Sequence, residues 1–226
     1  MRFLRVGLEA SERRLAALTD FYAGELGFEL VGRHSLAVGE TTLEFAASSA
    51  EPFYHFALLV PGNRFDAALN WARSRADLLP DPDSGELVFD FENWSASALY
   101  FLDPAGNIVE LIAHRGLDES NARGEFHPSE LVGLSELGLV GDPAGMAASL
   151  TDRLGLELWD GTIDEPGRIA FVGRRARTLI LSPPGRGWLP TRRAAEACSV
   201  TALLAGPVAG AVELERSLYR ISAVSA

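Results

Sequence analysis

The chain has 226 residues, of which 47% are hydrophobic and 23% charged, enough apolar material for one large or two small cores and a composition that argues against disorder. Its formal net charge of −11 repels phosphate backbones and anionic lipid surfaces, so nucleic acid and membrane are not expected partners. Every basic side chain is an arginine, which excludes lysine Schiff-base chemistry, and the single Cys198 excludes an intramolecular disulfide and any multi-cysteine metal cluster.

Phe3 to Ala10 alternates, with Leu4, Val6, Leu8 and Ala10 on one face and Phe3, Arg5, Gly7 and Glu9 on the other, the pattern of a half-buried strand. Ser11 is placed to cap a helix whose Leu15, Leu18, Tyr22 and Leu26 keep helical spacing, and Gly27 is placed to end it. Strands are expected over 28–32, 35–38 and 41–46, with Gly39-Glu40 turning between the last two. This βαβββ order begins again at Phe53. FYHFALLV reads as a strand, Asn63 as a cap, and Phe65, Ala68, Leu69, Ala72 and Ala76 as a helical stripe. Strands over 86–91, 98–102 and 107–113 complete the unit, the last two joined by Asp103-Pro104-Ala105-Gly106.

The polar stretch 116–128 (GLDESNARGEFHP) has linker composition, and a third copy follows it. LTDFYAGELGFELVG (18–32) is echoed by LTDRLGLELWDG (150–161), Asp142-Pro143 marks a helix start, and TTLEF (41–45) is echoed by RTLIL (177–181), with Ile180 where the first copy has Glu44. Residues 183–197 read as irregular. Strands over 198–204 and 212–221 leave too few residues for a complete fourth copy. The expected fold class is α+β: repeated βαβββ units forming a paired cup-shaped sheet, with a third, partly degenerate unit at the C-terminus. The expected domains are residues 1–115 and 129–226. No apolar run approaches the roughly 20 residues of a membrane span and no secretory h-region opens the sequence, so a cytoplasmic protein is the expectation.

Alternation puts Glu44 on the face opposite Leu43 and Phe45, His55 with Phe53 and Ala57, and Glu110 between Ile108 and Ile112. A carboxylate flanked by two isoleucines asks for a function. Strands carrying Arg5, Glu9, Glu44, His55 and Glu110 are expected to face a common concavity, and imidazole nitrogen with carboxylate oxygens is a ligand set for zinc, iron, manganese or nickel.

FYAGELGFELV (21–31), YHFALLV (54–60) and LYFLDPAGNIVELI (99–112), set in paired βαβββ units, resemble the vicinal oxygen chelate superfamily, which includes glyoxalase I, extradiol dioxygenases and metal-free bleomycin-binding proteins. The resemblance covers about residues 1–115 and recurs more weakly from about 130 to 183. It implies that Glu110, His55 and Glu44 are metal ligands, with Glu44 and Glu110 also catalytic. It further implies a divalent-metal lyase or isomerase acting on a small vicinal-oxygen substrate, favoured over ring cleavage because only one strand histidine is present. Arg5 stands where the family carries its first-strand ligand, and arginine stays protonated and cannot ligate a cation. Glu9 is its possible substitute. An Arg5–carboxylate pair supports the alternative, a metal-free small-molecule binding protein of the bleomycin-resistance type.

Asn93, Trp94 and Tyr100 are candidates for a pocket that takes a planar substrate. Glu136 matches Arg5 in the third unit, but with Ile180 in place of Glu44 that half reads as a packing partner without catalytic residues. His34, His114 and His127 fall in turns or beyond strand ends, where solvated roles are expected. Cups in this superfamily are often shared between two chains, so a homodimer is a further expectation.

Overall fold

The computed structural model describes residues 1–165 and 167–225. The first unit comprises β1 (Arg2–Ser11), α1 (Glu12–Thr19), β2 (Leu30–Gly32), β3 (Ser35–Val38) and β4 (Thr41–Ser48). A register shift between Phe3 and Arg5 puts Phe3, with Val6, Leu8 and Ala10, on the core face, where simple alternation placed Leu4. After α1 the chain widens into a turn in which the Leu26 N–H bonds the Phe21 carbonyl five residues back, burying Phe21 and Tyr22, and Gly27 leaves it at φ +78°.

The second unit comprises β5 (His55–Val60), α2 (Phe65–Arg73), β6 (Phe89–Phe91), β7 (Ala96–Leu102) and β8 (Ile108–His114). Arg64, and not Asn63, precedes α2. Asn63 instead exchanges two hydrogen bonds with the Ser120 backbone, and the buried Arg64 guanidinium pairs with Glu130 and donates to the Gly124 and Glu125 carbonyls, so the expected linker is tied down at both points. The DPAGN turn between β7 and β8 is a buried polar knot. Asp103 accepts from the backbone of Ala105 and Asn107, from the Asn107 side chain and from the Tyr22 hydroxyl, while Asn107 Oδ1 accepts from Tyr54 N–H.

The third unit comprises β9 (Gly133–Val140), α3 (Pro143–Leu154), β10 (Leu158–Gly161), β11 (Ala170–Arg174) and β12 (Arg177–Ser182). As expected, Asp142 caps α3, accepting from the Ala144 and Gly145 N–H groups, and Gly155 ends it at φ 64°. The two-residue strands β13 (Gly187–Trp188) and β14 (Arg193–Ala194) pair within the irregular segment. A remnant of a fourth unit then appears as β15 (Val200–Gly206), β16 (Gly210–Leu214) and β17 (Tyr219–Ser225). The single strand expected over 212–221 is broken by Glu215, Arg216 and Ser217, all at positive φ, which make the hairpin between β16 and β17.

Sheet pairing differs from the expected partnership of the first two units. The order β16-β17-β15-β1-β4-β3-β2 joins the first unit to the fourth, and β10-β11-β12-β9-β5-β8-β7-β6 joins the second to the third. We call these curled sheets the A cup and the B cup. Hydrogen-bonded pairing thus crosses the expected boundary at 116–128, and each cup is completed within one chain. One face of each sheet shares a core with α1, α2 and α3, including Leu18, Leu43, Phe56, Ala72, Leu150 and Leu204. The other face of each is the cup interior.

Candidate functional site in the B cup

Register places one transverse row of side chains across the interior of the B cup. Thr178 lies beside Glu136, Glu136 beside Ala57, Ala57 beside Glu110, and Glu110 beside Tyr100. His55 is on the same face two residues before Ala57. Because Ala57 carries only a methyl, the carboxylates from β9 and β8 reach over it from both sides. One ligand atom each from His55, Glu110 and Glu136 lies within 4.8 Å of the other two. These residues are 6%, 2% and 3% exposed.

The imidazole is held in one tautomer. Its Nδ1 lies 3.2 Å from the Ile108 carbonyl, and since a carbonyl only accepts, Nδ1 carries the proton. Nε2 therefore turns a lone pair toward Glu110 Oε2 at 3.5 Å. Burial pushes the His55 pKa down to about 4, so the ring is neutral near pH 7. Burial, and then the charge of Glu136, raise Glu110 well above the usual carboxylate range, and burial pushes Glu136 up to about 8. Glu136 Oε1 and the neighbouring Thr178 Oγ1 are both buried without a hydrogen-bond partner. A lone pair and two carboxylates converging in a dry cup repel one another unless protons or a cation lie between them, and nitrogen plus carboxylate oxygen is a borderline-to-hard donor set suited to a divalent ion. The donors, the orphaned Glu136 oxygen and the absence of a neighbouring cationic side chain in the Glu136 row fit such an ion.

Aromatic rings close over this row. Trp188 of β13 stands with its ring 5.0 Å from that of His55, Tyr100 packs on Phe89 at 4.7 Å, and Trp94 meets Phe171 at 4.7 Å and Trp159 at 4.9 Å. Burial, followed by the charge of Glu110, raises the Tyr100 hydroxyl well above its ordinary value.

The sequence-derived candidates divide between the two cups. His55, Glu110 and Tyr100 come together, and Trp94 lies on the rim of the same apolar cluster. Asn93 is exposed in the 92–94 turn and lies outside the buried cluster. Arg5, Glu9 and Glu44 lie on the A cup, so the common concavity expected for all five polar residues does not form. Arg5 pairs there with Glu44 at 3.5 Å, their side chains 61% and 36% exposed. Glu9 and Glu44 line an open cavity of about 590 Å³ with His34 and Arg220. Glu136, assigned from sequence to a packing half, is the third member of the cluster. The signal was available: Glu136 is the only charge in Leu131–Val140, the same kind of isolation that singled out Glu110. His114, expected in solvent, is fully buried beneath Trp94, its pKa pushed down to about 4 by burial and then by the Arg175 charge.

Among solved structures, the chain is similar to a candidate dioxygenase from Bacillus subtilis subsp. subtilis str. 168, with 14% identity and a TM-score of 0.58 over 99% of this chain and 85% of that one. It is also similar to glyoxalase I from Zea mays, with 14% identity and a TM-score of 0.56 over 99% of this chain and 92% of that one. No protein-family model and no curated protein sequence matches it. At these identities the likeness is one of fold alone. No helix among the described residues is long and apolar enough to cross a membrane.

Proposed function

We propose that His55, Glu110 and Glu136 hold a divalent cation in the B cup, and that the chain is a metal-dependent lyase or isomerase of a small substrate bearing vicinal oxygens. The observation that supports this reading is the neutral imidazole with its lone pair turned to Glu110, beside a second buried carboxylate, Glu136, with no cationic side chain paired to either among the described residues. When bound, the cation would act as a Lewis acid on substrate oxygen. The protein's own groups divide the remaining work. Ile108 fixes the imidazole tautomer through its carbonyl, and Tyr100 faces Glu110. Glu136, with a free Oε1, takes and returns the proton on substrate carbon. Thr178 Oγ1 beside it is free to donate to a substrate oxygen.

The metal-free alternative rested on Arg5 in the first-ligand position. Glu136 holds that position in the B cup, so Arg5 does not bear on it. Elemental analysis of the purified chain, before and after chelation, tests the proposal: one zinc, nickel, manganese or iron per chain is expected, falling in Glu136→Gln. A chain that purifies without metal and gains no thermal stability when each ion is added sinks it.

A further inference from the structure

Glu110 and Glu136 are buried, and the segment between β12 and β15 lies against the histidine beside them. Trp188 in that segment is 5% exposed and lies against His55. Beneath the indole is Gly138, where any Cβ would come within about 3.0 Å of the ring, so glycine makes room for it. Neither β13 nor β14 joins a main sheet, and among the described residues the backbone–backbone bonds of 183–197 run within the segment itself. Side chains latch it to the second unit. The Arg193 guanidinium lies 3.3 Å from the Phe53 ring centroid and donates to the Gly106 carbonyl at 3.3 Å, and Arg192 pairs with Asp83. Such a piece, held by its two ends and a few side-chain links, opens at lower free energy than the strands beneath it.

We infer that residues 183–197 are a lid, and that the Trp188 indole occupies the seat of a flat, uncharged aromatic ligand over His55. The indole shares one buried apolar cluster with Phe53, Phe89, Tyr100, Ile108 and Ile180, so an occupant exchanging with it enters apolar surroundings. A flat ring recovers the contacts that the indole gives up, whereas a charged ligand would lose its hydration against those walls. The inference deepens the metal reading, because the seat adjoins the proposed ligands, but it concerns access and shape and can fail separately.

The test is acylation of histidine by diethylpyrocarbonate in the full chain, followed by peptide mass mapping, with and without chelator. His55 and His114 are both buried and neutral near pH 7, but only His55 lies under the lid, so His114 is an internal control. Arg193→Ala, which removes the latch, is expected to speed His55 acylation about tenfold and leave His114 unchanged. Trp188→Ala should speed it further, and added indole should slow it again. Equal acceleration at both histidines would mean general loosening and would overturn the lid. An unchanged His55 rate in both variants would do the same, and failure of indole to protect His55 in Trp188→Ala would overturn the ligand class. Protection of His55 that disappears only with chelator reports the cation, so the two readings stay separable.

Discussion

The two cups share one plan and differ at the residues that decide what they can hold. Strand register superposes them: Glu136, Ala57, Glu110, His55 and Ile180 in the B cup correspond to Arg5, Leu203, Ser222, Thr201 and Glu44 in the A cup. Even the glycine beside His55, Gly138, has its counterpart in Gly7 beside Thr201. Of four potential ligand positions the B cup has three filled and the A cup one, and the one position empty in the B cup is the one filled in the A cup. The B cup is roofed by Trp188 and buries its charges. The A cup is open, and its Arg5 neutralises Glu44 in contact with water. A carboxylate in solvent with an arginine beside it needs no further partner, whereas two buried carboxylates facing a neutral imidazole need protons or a cation between them.

The largest effect should follow from breaking the B row. On the proposed reading Glu110→Gln or Glu136→Gln removes an anionic ligand, and affinity for zinc, measured by competition with a chromophoric chelator, should fall by roughly 100-fold or more. In the cation-free protein near neutral pH the same changes should not lower Tm, because a neutral amide replaces a carboxyl that burial already keeps protonated. A fall in Tm without any loss of zinc affinity would assign these residues a structural role. Ala57→Leu should also displace the ion by filling the space over which the carboxylates meet, with all three ligands left in place.

A dependence on pH comes next. Glu136 is pushed up to about 8 in the folded chain against 4.5 unfolded, and Glu110 is raised as well. Without a cation the folded state therefore keeps protons that the unfolded state releases, and stability should decline as pH rises from about 4.5 to about 8. His55 works in the opposite sense: its folded pKa near 4 lies below 6.5, so its share of stability is lost as pH falls through that interval. Denaturant titrations at successive pH values should show the decline in chelator. A saturating divalent ion should remove it, since the bound carboxylates are then ionised throughout.

The comparison can also be sharpened by construction. Carrying Glu136, Ala57, Glu110 and His55 across as Arg5→Glu, Leu203→Ala, Ser222→Glu and Thr201→His would leave Glu44 as a fourth ligand in the A cup. Metal content per chain should rise from one to two. A second ion held much more weakly than the first would show how much the roof over the B cup contributes.

The alternation of apolar residues and the turn residues made most elements legible. Ser35–Val38 and the Asp142 cap appear where the pattern put them, and the repeat was visible in LTDFYAGELG and LTDRLGLEL. Which unit pairs with which was not legible, because β1 and β5 carry similar patterns and the choice of neighbour is made by long-range packing. That one ambiguity grouped Glu44 with His55 and Glu110, from which the sheets separate it, and left out Glu136, which lies beside them. Trp188 was hidden for another reason. An irregular segment has no periodicity from which to read which face it covers.

The smallest expected effect concerns Arg5, the residue on which the sequence placed most weight. Its guanidinium is mostly in solvent and reaches Glu44 at 3.5 Å, so Arg5→Ala gives up an exposed ion pair worth about 0–1 kcal/mol. Glu44, itself partly exposed, regains hydration when its partner goes. Metal content should not change at all, because Arg5 lies on the sheet that does not carry His55. If Arg5→Ala instead stripped the ion, the cups would be coupled through the core they share, and the division of labour drawn from their register would have to be abandoned. If Arg5→His alone added a second ion, Glu44 and that histidine would suffice in an open cup, and burial would matter less to the B site than its closed row suggests.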